Sequence, residues 1–320
     1  YQQVPVAITV EGANILTRSL IIFGQGAIRC HPFVLREMAA ARDADTARGS
    51  LAFDLALWGH IRHVSRNFVA ALFHGLTGCR FARAPSGDPM ARHVRELSRI
   101  AAAFAFTADV AMLVLGGSLK RREKLSARLG DVLAQLYLAS CVLKRFADDG
   151  RPEADAPIVR WCLEDALHRA EEALAGVHRN LPGRLPRLAI RLAAFPLGRR
   201  LPPPDDRLGT TVARLATEAS PTRDRLVRGM YVPSGEDDPI GRLELALALA
   251  PQAEALGAKL RAAVREGALH SADGDAQRDE AVRIGLLTVD EAELLERHRR
   301  LVRDCIMVDD FPRDIGRAAG

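Results

Sequence analysis

The acidic residue Glu11 is the only Asp or Glu in the first thirty-six residues of the chain. It lies in the sequence Val10-Glu11-Gly12, just before a long apolar run. A carboxylate in an apolar pocket has a raised pKa, which suits it to act as a general base near neutral pH. The following glycine allows a sharp turn and a close approach of substrate. From the residues alone, a structural glutamate in a loop remains the alternative.

Two other patterns that often carry chemistry are weak in this sequence. His60 and His63 have a spacing compatible with one metal ion, but there is no nearby carboxylate ligand pair and no H-E-x-x-H motif. We therefore expect structural or surface histidines and no metal site. The sequence GQGAIR at 24–29 lacks a third glycine and a preceding strand, so Gly24 and Gly26 indicate helix packing or a bend rather than dinucleotide binding.

A basic segment, residues 181–207, is rich in Pro, Arg and Leu and has no acid before Asp205. If it is helical, three leucines lie beside three of its arginines, as in helices that lie in the membrane interface. Each arginine near anionic headgroups contributes about 1 kcal/mol. An arginine-rich linker packed on the protein is the alternative. The candidate membrane-surface residues are Arg184, Arg187, Arg191, Arg199 and Arg200, with Leu185, Leu188 and Leu192.

Composition favours helices, since Ala, Leu and Arg dominate and aromatics make up only 5% of the chain. The net charge of +5 selects no partner class by itself. The basic run KRREK at 120–124 includes an acid and has no interleaved aromatics, so no nucleic-acid partner is expected. Five dispersed cysteines without a C-x-x-C pair indicate a reducing compartment.

Apolar periodicity predicts an all-α protein, a helical bundle with short connections. The apolar window 100–117 contains Thr107 and Asp109, so we expect a helix buried in the bundle rather than a membrane span. Thr288 and Glu291 fit a capping box. The predicted helices are 14–29, 33–44, 51–76, 90–115, 118–147, 156–178, 208–219, 224–229, 240–267 and 288–308.

Three segments carry a family resemblance. The first, ITVEGANILTRSLIIFGQGAIRCHPFVLREM at 8–38, resembles the active-site segment of acyl-CoA dehydrogenases, where a Glu-Gly turn precedes the last helix of the flavin-binding module. The segments GGSLKRREKLSARLGDVLAQLYLASCVLKRFADDG at 116–150 and FPLGRRLPPPDDRLG at 195–209 are similar to its bacterial long-chain, FadE-type branch. The resemblance implies the C-terminal part of that fold followed by a helical extension.

The resemblance also implies a reaction. Glu11 would remove the α-proton of a fatty acyl-CoA, a hydride would pass from the β-carbon to FAD, and the product would be trans-2-enoyl-CoA, as in fatty-acid β-oxidation. The electron acceptor implied for the reduced flavin is an electron-transfer flavoprotein. Gly12 matches the family turn. Ala13 stands where many relatives have Thr and Ile15 where many have Gln, two contacts near the flavin. Arg18 matches a family arginine that serves the flavin's neighbourhood or an intersubunit ion pair.

In this interpretation residues 1–45 end the catalytic module, 46–180 form a helical extension, 181–207 form the basic segment, and 208–320 form a C-terminal helical region. We expect a piece of a larger protein, with FAD bound mainly by the missing upstream part and the piece inactive alone. We further expect the protein to form a homodimer. Its expected location is the bacterial cytoplasm, peripheral on the inner membrane. The rival interpretation is a non-catalytic helical module for protein interaction or membrane docking.

Overall fold

The computed structural model describes residues 17–271 and 273–307, except for the side chain of Leu20. Helices make up nearly all of the regular structure, and no strand occurs among these residues. The all-α prediction is therefore confirmed. Contacts divide the chain into two compact units, with the division between Val212 and Ala213.

The N-terminal run begins with an unusual winding. A π-helix covers Thr17–Gln25, helix α1 covers Gly26–Cys30, and helix α2 covers Val34–Ala40. The sequence predicted two helices here, 14–29 and 33–44, separated at His31-Pro32. Helix α1 does end at His31, whose backbone is extended, as is typical of a residue before proline.

Helix α3, Thr46–Thr77, is the longest in the described part of the chain. Asp45 caps its start, because the side chain accepts hydrogen bonds from the amides of Ala47 and Arg48. Its end is set by Gly78, which adopts the left-handed conformation with φ of 59°.

The rest of the first bundle consists of long antiparallel neighbours. Helix α4 is Ala91–Leu115, and a 3₁₀ segment, Gly116–Arg121, leads into helix α5, Glu123–Asp148. The 3₁₀ segment Glu153–Asp155 precedes helix α6, Ala156–Asn180. The sequence predicted a helix over 118–147, so its first turn is tighter than expected. Two shorter helices follow, α7 at Arg184–Ala194 and α8 at Asp206–Thr217.

Helix α4 is the core helix of this bundle. With the adjoining 3₁₀ segment it forms one described stretch, Ala91–Arg121, that is long and apolar enough to cross a membrane. Its face carrying Ile100, Ala103 and Phe106 is buried against the other helices of the bundle. Helix α5 also buries apolar side chains, at Leu125, Leu129, Val132 and Leu136. Val132 and Leu136 pack in one hydrophobic cluster with this face of α4, and Leu125 and Leu129 belong to a second cluster. Burial of both clusters stabilises the unit.

The second unit contains four further helices of its own: α9 at Pro221–Leu226, α10 at Pro239–Arg265, α11 at Gly274–Arg283 and α12 at Val289–Ile306. The predicted capping box of α12 is present: Thr288 accepts from the Glu291 amide at 3.2 Å, and the Glu291 carboxylate accepts from the Thr288 amide at 2.8 Å. Helix α11 was not predicted, because its sequence GDAQRDEAVR has almost no apolar period. Its one buried residue, Ala281, packs in a small core with Leu269 and Leu287.

A buried ion pair links three parts of the first unit. Glu171 on α6 is fully buried and lies 3.4 Å from Nη2 of Arg99 on α4. Arg99 Nη1 also donates to the carbonyl of Ala194, at 3.0 Å, where α7 ends. The Glu171 carboxylate accepts hydrogen bonds from the backbone amides of Arg200 and Leu201, at 3.2 and 3.1 Å. Both charges are thereby compensated, and the chain after α7 is held against the bundle.

The Glu171→Ala variant should lose about 3 kcal/mol of unfolding free energy, because the amides of Arg200 and Leu201 lose their acceptor and Arg99 keeps only the Glu96 carboxylate, whose Oε2 lies 2.8 Å from its Nε. Replacing both residues by methionine should cost much less than the single change. Urea denaturation measures both. The matched control is the exposed neighbour Glu172→Ala, for which we expect a change of about 0.5 kcal/mol or less. Equal losses in E171A and E172A would contradict this account.

The cysteine thiols differ in burial, and we expect their reactivities to differ accordingly. Cys79 follows α3 and is 1% exposed. Burial, followed by the charge of the nearby Glu96 carboxylate, raises the pKa of its thiol to about 11. Cys30 and Cys141 are exposed. Because the thiolate is the nucleophile, Cys79 should be inert where the exposed thiols react.

At pH 8, iodoacetamide should modify Cys30 and Cys141 at least about 10-fold faster than Cys79. Peptide mass spectrometry of timed samples gives the three rates. In urea, where burial is lost, the three rates should converge. A Cys79 rate equal to that of Cys141 in the folded protein would show that Cys79 is accessible.

Candidate functional site

The described residues include only one of the four positions that the resemblance assigns to the catalytic region. Glu11, Gly12 and Ala13 lie outside the described ranges, and Arg18 lies within the π-helix. The Arg18 guanidinium is held by Asp131 on α5, with Nε to Oδ1 and Nη2 to Oδ2 both at 2.5 Å. This two-point contact raises the pKa of Arg18. Arg18 thus makes an intrachain ion pair with Asp131.

The π-helix and α5 approach closely at this ion pair. A Cβ atom at Gly130 would lie 3.1 Å from the carbonyl oxygen of Arg18, tighter than ordinary van der Waals contact. Glycine at this position therefore lets the two backbones meet, and Asp131 is the next residue along α5. The close approach positions the carboxylate for the guanidinium.

The basic segment does form a helix, α7, with two contrasting faces. Ile190, Ala193 and Ala194 are fully buried against the bundle. The opposite face exposes three leucines, with exposed fractions of 79%, 51% and 43%: Leu185, Leu188 and Leu192. Arg184 and Arg191 are exposed beside them, and Arg187 is half-buried. The described part of the chain places no partner on these leucines.

The arginines of the basic segment have different surroundings. The pKa of His178 is lowered, first by burial and then by the charges of Arg191 and Arg187, so positive potential accumulates at this surface. Arg199 lies 3.7 Å from Glu171 and 3.6 Å from Glu172, which engages its charge within the fold. The arginines of α7 are consequently freer to meet an anionic surface than Arg199.

A groove of about 590 Å³ lies between the N-terminal helices, α3 and α4. Its walls are mostly apolar, with Met38, Leu57 and Val110 among the lining side chains. His60 and Asp109 also line it. A groove of this size and polarity, with a few convergent polar groups, is typical of ligand sites.

The polar group of this groove is a cluster of imidazoles and carboxylates. His31 Nε2 lies 2.9 Å from Asp109 Oδ1, and His60 Nε2 lies 3.5 Å from the same oxygen. On its other side, His60 Nδ1 lies 2.8 Å from Glu37 Oε1. Burial lowers the pKa of His31. His31, His60 and Asp109 each offer one potential metal-ligand atom, and these atoms lie within 4.8 Å of one another.

Backbone packing brings the two histidines together. The loop after α1 places the Phe33 ring against Gly59 on α3, where any Cβ atom would overlap the ring. This contact brings His31 beside His60, with ring centroids 4.6 Å apart. His63, the other histidine of the predicted pair, instead lies 2.9 Å from Asn67 Nδ2 through its Nε2.

One residue in the sequence indicated this cluster, although the spacing of His60 and His63 did not. Asp109 is the only acid in the apolar window 100–117. A buried carboxylate needs a compensating partner, so this acid predicts a cationic or hydrogen-bonding side chain beside it. The partner, His31, is 78 residues away in sequence, and only the fold identifies it.

Comparison with known proteins adds the family. A family model described as acyl-CoA dehydrogenase, C-terminal, bacterial type, matches residues 28–311. No solved structure matches this chain. The matched range includes the cluster of His31, His60 and Asp109 and the basic helix α7, while Glu11 and Arg18 precede it. On the strength of this match, which covers most of its length, the chain belongs to the bacterial-type acyl-CoA dehydrogenase C-terminal family.

Proposed function

We propose that the chain is the C-terminal portion of an FAD-dependent acyl-CoA dehydrogenase of fatty-acid β-oxidation, with Glu11 as the general base. The observation that carries the proposal is the family match over residues 28–311. The dipeptide Glu11-Gly12 stands just upstream of it in sequence, where the family resemblance requires a carboxylate. A helical scaffold without catalytic function has no need of a carboxylate at this position.

The proposed step is a proton abstraction. The thioester carbonyl of a fatty acyl-CoA acidifies the α-carbon, and hydrogen bonds to the carbonyl oxygen stabilise the charge that develops there. The Glu11 carboxylate takes the α-proton as a general base. FAD supplies the acceptor for the β-hydride in this family, and it is held mainly by parts of the family fold that this chain does not contain. Electrons then pass to an electron-transfer flavoprotein, in the bacterial cytoplasm.

Changing Glu11 to Gln in the natural full-length protein should lower the rate of dye reduction by palmitoyl-CoA about 10²–10⁴-fold, the usual contribution of a general base. The flavin absorbance should stay at the wild-type level, since the glutamine side chain has nearly the same volume as that of glutamate. Glu254→Gln, an exposed acid of α10, is the matched control and should leave turnover unchanged. Wild-type turnover in E11Q would favour the non-catalytic module.

We propose in addition that α7 docks on an anionic membrane surface. The supporting observation is its outward face, with three exposed leucines beside Arg184 and Arg191. Leucines can enter the interface between headgroups and acyl chains while the arginines meet the phosphates. A peripheral location would bring the protein close to long-chain substrates that partition into bilayers.

The triple variant Arg184→Gln, Arg187→Gln, Arg191→Gln should weaken binding to vesicles of phosphatidylglycerol and phosphatidylcholine about 100-fold, at about 1 kcal/mol per arginine. Co-sedimentation measures the partitioning, and pure phosphatidylcholine should bind neither protein. The matched control is a variant in which three exposed arginines elsewhere, Arg42, Arg62 and Arg66, are replaced by Gln. This variant should bind the vesicles like wild type. Undiminished binding of the α7 variant would exclude this surface.

A further inference from the structure

We infer that His31, His60 and Asp109 form a binding site for one divalent transition-metal ion of the zinc type. The first observation is a buried carboxylate that lacks a well-directed hydrogen bond. Asp109 is buried, with 5% of its side chain exposed. Neither of its carboxylate oxygens has a hydrogen-bond partner of acceptable geometry among the described residues. Buried carboxylates are normally hydrogen-bonded, paired or bound to a metal.

The second observation is the convergence of the ligand atoms. His31 Nε2 and Asp109 Oδ1 are 2.9 Å apart, yet neither atom makes a hydrogen bond of acceptable geometry within the described part of the chain. His60 Nε2 lies 3.5 Å from the same oxygen. Two atoms that each lie ~2.1 Å from a tetrahedral ion are ~3.4 Å apart. The observed separations fall on both sides of that value, so one ion can reach all three groups with small adjustments.

The third observation is the orientation of His60. Its Nδ1 atom lies 2.8 Å from the Glu37 carboxylate, which accepts a hydrogen bond from the N–H at that position. The Nε2 atom, directed toward Asp109, is then left with its lone pair free. Histidines that bind metals typically have such a carboxylate behind them, because it fixes the tautomer and the direction of the ring.

His31 is the weakest of the three ligands. Its Nδ1 atom accepts hydrogen bonds from the backbone amides of Phe33 and Val34, at 3.2 and 3.1 Å. In the metal-free protein the ring proton is therefore on Nε2. Binding an ion there moves that proton to Nδ1 and breaks both hydrogen bonds, so we expect a modest affinity. Imidazole and carboxylate ligands together suit zinc, iron, nickel or copper better than calcium or magnesium.

The remaining coordination position faces the groove. His60 and Asp109 line this groove, whose other walls are largely apolar. Three protein ligands with an open position are typical of metal sites at which a water or a ligand oxygen completes the coordination. None of the three ligands is assigned a role in the proposed proton abstraction.

Isothermal titration of the chelator-stripped chain with Zn²⁺ tests the inference directly. Wild type should bind one ion per chain. Asp109→Asn and His60→Gln should each weaken binding at least about 100-fold. Glu37→Gln, which removes only the group behind His60, should weaken it about 10–100-fold. Circular dichroism of each metal-free variant confirms that the helices are intact.

The matched control is His63→Gln, one turn along the same helix, whose Nε2 contacts Asn67 and whose ring, 5.6 Å from the His31 ring, offers no atom to the three-ligand group. It should bind zinc like wild type. Three results would each overturn the inference: no binding by wild type, equal binding by wild type and the Asp109 and His60 variants, or a loss in the His63 variant as large as theirs. Because the readout is metal binding, failure of the proposed dehydrogenase activity leaves it unaffected.

Discussion

The buried contact of Arg99 with Glu171 determines how the first unit closes. It joins α4 to α6 and, through the Ala194 carbonyl and the Arg200 amide, holds both ends of the turn that follows α7. A buried guanidinium and carboxylate tolerate few arrangements, because each unmet hydrogen bond would be costly in the core. This constraint fixes the orientation of α7, and so decides that its alanines face the bundle and its leucines face outward.

The same bundle contains a second buried acid, Asp109, in very different surroundings. Glu171 receives backbone amides and a guanidinium, and every one of its contacts serves the packing of the chain. Asp109 faces two imidazoles across distances that suit a shared ion and accepts no well-directed hydrogen bond from a described residue. Folding stability explains the first arrangement fully. The second is better explained by a bound group, since a fold without one gains nothing from an unpartnered buried carboxylate.

Much of the secondary structure was predictable, and the errors have physical causes. Helices α3 to α6, α10 and α12 have strong apolar periods or clear caps, and their predicted bounds are close to those observed. Helix α11 buries almost nothing, so its period was too weak to detect. The π-helix at Thr17–Gln25 and the 3₁₀ turn at Gly116–Arg121 keep the apolar composition of an α-helix. Local pattern does not distinguish these windings, which depend on neighbouring helices.

The sequence by itself determined the helical class, most helix boundaries and the capping box at Thr288, because these depend on short-range periodicity and local motifs. It also carried the family resemblance, with which the family match agrees. Tertiary structure decided which charged side chains meet. It paired Arg18 with Asp131 and brought His31 to Asp109, both across long stretches of sequence. Such contacts follow from how helix faces pack in space, and a single sequence records no pairwise distance between residues far apart along the chain.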